Sequence, residues 1–231
     1  MENFMKKPLI IVNFKAYENA IGKRALELAK LHEKVAQKTG VSFAVAVQPV
    51  DLRMIASEVK IPVLAQHFDP VHYGAHTGHL SPHVLQEAGA VGSLLNHAEK
   101  KISMDVIMKS VEEAHSIGFL VVLCADTVQA GKDIAMFEPD FVAVEPPELI
   151  GGDVSVVSAN PKIISDAVEM IGKSRVLVGA GIKTKQDVLR SLELGASGVL
   201  LASGVTKSAD PEAVLMDLAQ GVLDFQATKK S

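Results

Sequence analysis

The chain has 231 residues, 48% of them hydrophobic and 22% charged, a composition that excludes disorder and supplies ample apolar material for a core. A formal net charge of −4, with Lys and Arg scattered along the chain, excludes a basic footprint for nucleic acid or an anionic membrane. The single cysteine, Cys124, excludes an intrachain disulfide or a cysteine-built metal cluster, and no apolar run nears the ~18 residues of a membrane span, so a soluble cytoplasmic protein is expected.

Eight short apolar runs without polar alternation follow in order: PLIIVNF, SFAVAVQ, IPVLAQH, VGSLLNH, FLVVLCAD, DFVAVEP, RVLVGAG and SGVLLASG. Such runs suit parallel strands covered on both faces. Amphipathic segments lie between them, among them KRALELAKLHEKVAQK, SMDVIMKSVEEAHS, NPKIISDAVEMI, TKQDVLRSLEL and DPEAVLMDLAQGVLD. Ser103, Thr184 and Asp210 before Pro211 are expected helix starts. Strand then helix, eight times without a linker, predicts a single (β/α)8 TIM barrel over residues 1–231. An open doubly wound sheet is the structural rival. It normally has fewer repeats, and no strand here is followed by G-x-G-x-x-G.

In a barrel the loops after the strands open on one face, so the strand ends become a list of neighbours. They deliver Asn13 and Lys15, Gln48, Gln66 and His67, Asn96 and His97, Cys124 and Asp126, Glu145, then the glycine-bearing ends VGAGI and LASGV. The last two loops can turn backbone N–H groups toward a phosphate, although each glycine alone is equally a turn residue. Lys15, two residues after Asn13, falls on the same side if the backbone is extended, and supplies a cation to such a pocket. His97 precedes AEKK, where a helix could begin, and a helix dipole favours the neutral ring. Glu145 then suits a general base for proton abstraction beside a carbonyl. Pro146 and Pro147 stiffen one side of the loop that follows it, and Gly151 and Gly152 free the other, as in a water-excluding lid. His72, His76, His79 and His83 sit in HFDPVHYGAHTGHLSPH, which lacks a helical pattern; a polar loop or subunit contact is preferred to a metal site. Cys124 reads as a buried strand-end residue.

These residues resemble the triosephosphate isomerase family from Pro8 to Phe225. NFK at 13–15, NHAEKK at 96–101, EPPELIGG at 145–152 and the two glycine loops stand in the family's order, and the compact length resembles its shorter archaeal form. The resemblance implies interconversion of dihydroxyacetone phosphate and glyceraldehyde 3-phosphate without cofactor or metal. It implies Glu145 as the base, His97 as a neutral imidazole working at the substrate oxygens, Lys15 as the balancing cation, and Asn13 placing substrate. It further implies Ile150, Gly151, Gly181, Ala202, Ser203 and Gly204 around the phosphate, Glu99 behind the site, and Thr77 at the tip of a loop reaching into a partner subunit of a homotetramer, with a dimer as the alternative. IGGDVS stands where the family commonly has Gly-Thr-Gly after the isoleucine, and Gly181 where many members have serine. Two other readings stay open at this point. One is a different phosphosugar isomerase or epimerase, and the other a noncatalytic barrel that binds a phosphorylated metabolite.

Overall fold

The computed structural model describes residues 8–147, 155–172 and 175–229. Each of the eight apolar runs forms a strand: β1 (Leu9–Asn13), β2 (Ser42–Val47), β3 (Val63–Ala65), β4 (Gly92–Leu95), β5 (Leu120–Ala125), β6 (Phe141–Val144), β7 (Val176–Val178) and β8 (Gly198–Leu201). They pair in sequence order, all parallel, and β1 pairs with β8 to close the barrel. The open-sheet alternative is thereby removed.

The missing polar alternation has its reason in the packing. In β1, Leu9 and Ile11 point inward and pack with Ala44, Leu64, Leu94, Val122 and Leu200 in the barrel interior. Ile10 and Val12, one residue out of step, pack outward against the helices. Both faces are buried, so both must be apolar. At the β1–β8 seam, a Cβ on Gly198 would collide with the Leu9 backbone, so closure there requires glycine.

The helices are α1 (Gly22–Thr39), α2 (Pro49–Glu58), α3 (Pro82–Glu87), α4 (Met104–Ser116), α5 (Val128–Ala135), α6 (Val156–Ala159), α7 (Lys162–Ile171), α8 (Lys185–Glu193), α9 (Ser203–Thr206) and α10 (Pro211–Thr228). The expected starts hold: Ser103 accepts from the Val106 N–H at 3.4 Å and Asp210 from the Ala213 N–H at 3.0 Å. Thr184 and Asp187 exchange side-chain and backbone hydrogen bonds in a full capping box. Along α1, Ala25, Leu28, Ala29, His32 and Val35 form the buried stripe, with exposed polar residues opposite. The segment from 66 to 81, between β3 and α3, is long, and His72 to His79 are all exposed within it.

Candidate active site

Lys15 reaches the site by a route that differs from the expected one. β1 ends at Asn13, Phe14 turns into the outer core, and Lys15 takes a left-handed backbone with φ 49°. That conformation costs a non-glycine residue about 1–2 kcal/mol, and side chains from three strand ends hold it. The Lys15 N–H donates to Asn13 Oδ1 at 3.0 Å, while Gln48 and Gln66 both donate to the Lys15 carbonyl, at 3.1 and 3.0 Å. The extended-segment argument for Lys15 is therefore corrected, although its side chain does enter the cleft beside Asn13.

His97 is likewise placed by a turn. No helix begins at Ala98; α4 starts at Met104, and Asn96, itself left-handed at φ 57°, opens a tight turn closed by the Lys100 N–H to the His97 carbonyl at 2.8 Å. The Asn96 side chain fixes this turn by donating to the Cys124 carbonyl at 3.0 Å and accepting from the Ile102 N–H at 3.2 Å. The helix-dipole argument falls, and two other causes do its work. Burial, then the Lys15 charge, hold the His97 pKa below its ordinary value. The Glu99 N–H donates to His97 Nδ1 at 3.1 Å, which leaves the ring proton on Nε2.

Nε2 faces Glu145 Oε2 at 3.8 Å. Glu145 follows β6 directly, is buried, and its Oε2 has no hydrogen-bond partner among the described residues. Burial raises its pKa to about 7, against the opposing pull of the Cys124 S–H hydrogen bond and the Lys15 charge. An unsatisfied buried carboxylate oxygen is costly, so it marks a place where a proton or a ligand is received. Behind this pair the Lys15 ammonium meets Glu99 Oε1 at 2.7 Å. Cys124 is buried, and desolvation followed by the neighbouring Glu145 raises its thiol pKa well above the usual value, in keeping with a structural residue.

The cleft that joins Asn13, Lys15, His97 and Glu145 runs on to Gly181, Ala202, Ser203 and Gly204. Ala180 and Gly181 are both left-handed, at φ 69° and 73°, so the backbone after β7 curls in two consecutive residues. Gly204, the second residue of α9, lies so near this curl that a Cβ would stand 3.2 Å from the Ile182 carbonyl. Ile150 and Gly151, with the rest of the expected lid from 148 to 154, lie outside the described residues. Thr77 is exposed in the segment between β3 and α3 and is not among the residues lining the cleft.

Two groups at the site were not anticipated from the sequence. Gly179, read only as part of a phosphate loop, lies flat against Glu145: a Cβ there would overlap Glu145 Cγ and stand 2.7 Å from its Cδ and Oε1. No local sequence signal separates such a glycine from a turn glycine. Asp187 gathers the Lys183 N–H at 3.1 Å, the Thr184 N–H at 3.0 Å, and the hydroxyls of Thr184 and Ser155 at 2.9 and 2.6 Å. It thus ties the loop after β7 to the segment entering α6, and the Thr-x-x-Asp spacing was its available signal.

Fold and site define a class: a (β/α)8 barrel with a carboxylate, a neutral imidazole and an ammonium converging at the C-terminal ends of its strands. A sequence model of triosephosphate isomerase matches residues 8–220. The chain is similar to the triosephosphate isomerase of Archaeoglobus fulgidus, 46% identical over 217 residues covering 92% of this chain and 97% of that protein. It is 43% identical to that of Methanobacterium bryantii over 226 residues, covering 96% of this chain and all of the relative. Among solved structures, triosephosphate isomerase from Bartonella henselae superposes with a TM-score of 0.74 at 15% identity, covering 94% of this chain and all of that one, a likeness of fold. The chain belongs to the triosephosphate isomerase family.

Proposed function

We propose that the chain interconverts dihydroxyacetone phosphate and D-glyceraldehyde 3-phosphate by proton transfer through an enediolate, without cofactor, in glycolysis and gluconeogenesis. The observation that carries this is the pairing of Glu145, at a pKa of about 7 and with an Oε2 unpartnered among the described residues, with the Nε2 of His97, whose Nδ1 is already occupied. A carboxyl group with a pKa near the working pH is ionised often enough to accept a proton from carbon and, once protonated, acidic enough to return it. In this reading Glu145 moves the proton between the two carbons, and the His97 N–H polarises the substrate oxygens and shuttles their proton. Lys15 balances the enediolate and phosphate charge, and Asn13 positions the substrate at the oxygens. Backbone N–H groups around Gly181, Ala202, Ser203 and Gly204 hold the phosphate, with Ile150 and Gly151 completing the enclosure. Glu99 steadies the Lys15 ammonium from behind.

Similarity to family members over nearly the whole chain favours this over another phosphosugar isomerase or a noncatalytic barrel. The test is a coupled assay with glyceraldehyde 3-phosphate, with and without chelator, beside Glu145→Ala. Turnover that survives chelator and falls by several orders of magnitude in the variant supports the reading. An inactive wild type, or a variant that keeps its rate, refutes it.

The assembly is proposed to be a homotetramer, with a dimer as the alternative, because residues 72 to 79, Thr77 among them, form an exposed run suited to being covered by a partner. Elution at the mass of one chain at micromolar concentration refutes that. No helix among the described residues is long and apolar enough to cross a membrane, and a cytoplasmic location is proposed with the activity.

A further inference from the structure

Two of the histidines before β4 form a cluster that the proposed reaction does not use. His72 and His83 lie ring on ring, with centroids 4.5 Å apart and planes 20° from parallel. Both turn a nitrogen toward one carboxylate oxygen on α4: His83 Nε2 is 2.8 Å from Glu113 Oε1, and His72 Nδ1 is 3.8 Å from it. One donor atom from each of the three side chains lies within 4.8 Å of the others. His83 is buried in the first turn of α3, Glu113 is half-buried, and His72 is exposed. Tyr73 packs on the His83 ring with centroids 4.5 Å apart, which holds the buried imidazole in place.

We propose that His72, His83 and Glu113 form a binding site for a divalent transition metal of the zinc class. Metal–ligand bonds of ~2.0–2.2 Å in a tetrahedral arrangement set neighbouring donor atoms roughly 3.3–3.5 Å apart. The two nitrogen–oxygen distances, 2.8 and 3.8 Å, bracket that value, so both pairs reach it by shifts of about half an ångström. The exposed His72 side chain supplies the freedom to make them. Two imidazoles and one carboxylate suit zinc and its neighbours, whereas magnesium and calcium call for all-oxygen shells. Three protein ligands leave a fourth position on the exposed side, beside His72, for water or another donor. Because His72 belongs to the long loop while His83 and Glu113 sit on α3 and α4, a bound metal staples that loop to the barrel wall. His76 and His79 stand apart as an edge-on pair with centroids 6.0 Å from each other and are not part of the site.

Without a metal the same atoms make only a His83–Glu113 hydrogen bond with a stacked ring above it, and titration separates the two cases. The chelator-stripped full chain is titrated with zinc chloride by calorimetry and with cobalt(II) by visible absorption. His72→Ala is the principal variant, since its exposed side chain can be removed without opening the core, and a His76→Ala/His79→Ala double variant is the control. The expected result is one zinc per chain, tetrahedral cobalt bands, affinity weakened at least ~10-fold in His72→Ala, and no change in the control. Absence of zinc uptake, uptake undiminished in His72→Ala, or uptake lost in the control would overturn the proposal.

Discussion

Replacing Gly179 by alanine tests whether the position of the Glu145 carboxylate, rather than its mere presence, sets the activity. The added Cβ overlaps Glu145 Cγ and stands 2.7 Å from Cδ and Oε1, where ordinary contact begins near ~3.4 Å. Glu145 is buried and flanked by Cys124 and His97, so it yields by swinging its carboxylate about 1 Å, and a displacement of that size costs on the order of 10²-fold in rate. The coupled isomerase assay should therefore show kcat/KM reduced about 100-fold, corresponding to roughly 2.7 kcal/mol at the transition state. Thermal unfolding should show a modest loss, since the clash is relieved by a side chain and Gly179 is not left-handed. A variant within threefold of the wild type at unchanged Tm would refute the reasoning, because Glu145 would then have a second productive position.

Four other expectations follow from the same geometry. Glu145 must be ionised to accept a proton, so kcat/KM should fall about tenfold per unit as pH drops below about 7; a profile flat to pH 5 contradicts the burial argument. The folded state binds the Glu145 proton more tightly than the unfolded state does, so this residue costs stability progressively from about pH 4.5 up to about pH 7 and fully above it. Glu145→Gln should accordingly be inactive yet about 3 kcal/mol more stable than wild type at pH 8, with the difference gone below about pH 4.5 in denaturant titrations. Gln66→Ala removes the hydrogen bonds to the Lys15 and Ala46 carbonyls and should cost about 1–3 kcal/mol of stability. With its backbone grip loosened, Lys15 should also bind substrate less well, read as a raised KM; unchanged KM and stability would deny Gln66 that part. Cys124, buried with its thiol pKa raised, should resist an aromatic disulfide reagent until the chain is unfolded.

The barrel was legible because strands buried on both faces leave unbroken apolar runs, and each of the eight did so. The convergence of Asn13, Lys15, His97 and Glu145 was legible too, since strand order alone places strand ends on one rim. The local means of placement were not. Lys15 adopts a left-handed backbone that its residue type does not announce, held by the side chains of Asn13, Gln48 and Gln66, while Asn96 holds its own left-handed turn by side-chain bonds to the Cys124 carbonyl and the Ile102 N–H; neither dependence has a sequence period. His97 was expected at a helix start because AEKK has helical character, yet the Asn96 turn and its bond to Cys124 delay α4 to Met104. Gly179 matters for an approach between the ends of adjacent strands, β6 and β7, which spacing along the chain does not encode. The expected lid lies at residues whose structure is not described.

The seam between β1 and β8 makes the rim of this barrel a closed circle, in which every strand has two neighbours and none can slide alone. Separation of labour follows from that. The circle fixes where a loop departs, while the loop alone decides what it presents, so a change in one loop need not disturb the anchoring of the rest. Such a scaffold can exchange one ligand preference for another piecewise, keeping the loops after some strands while those after others are rebuilt.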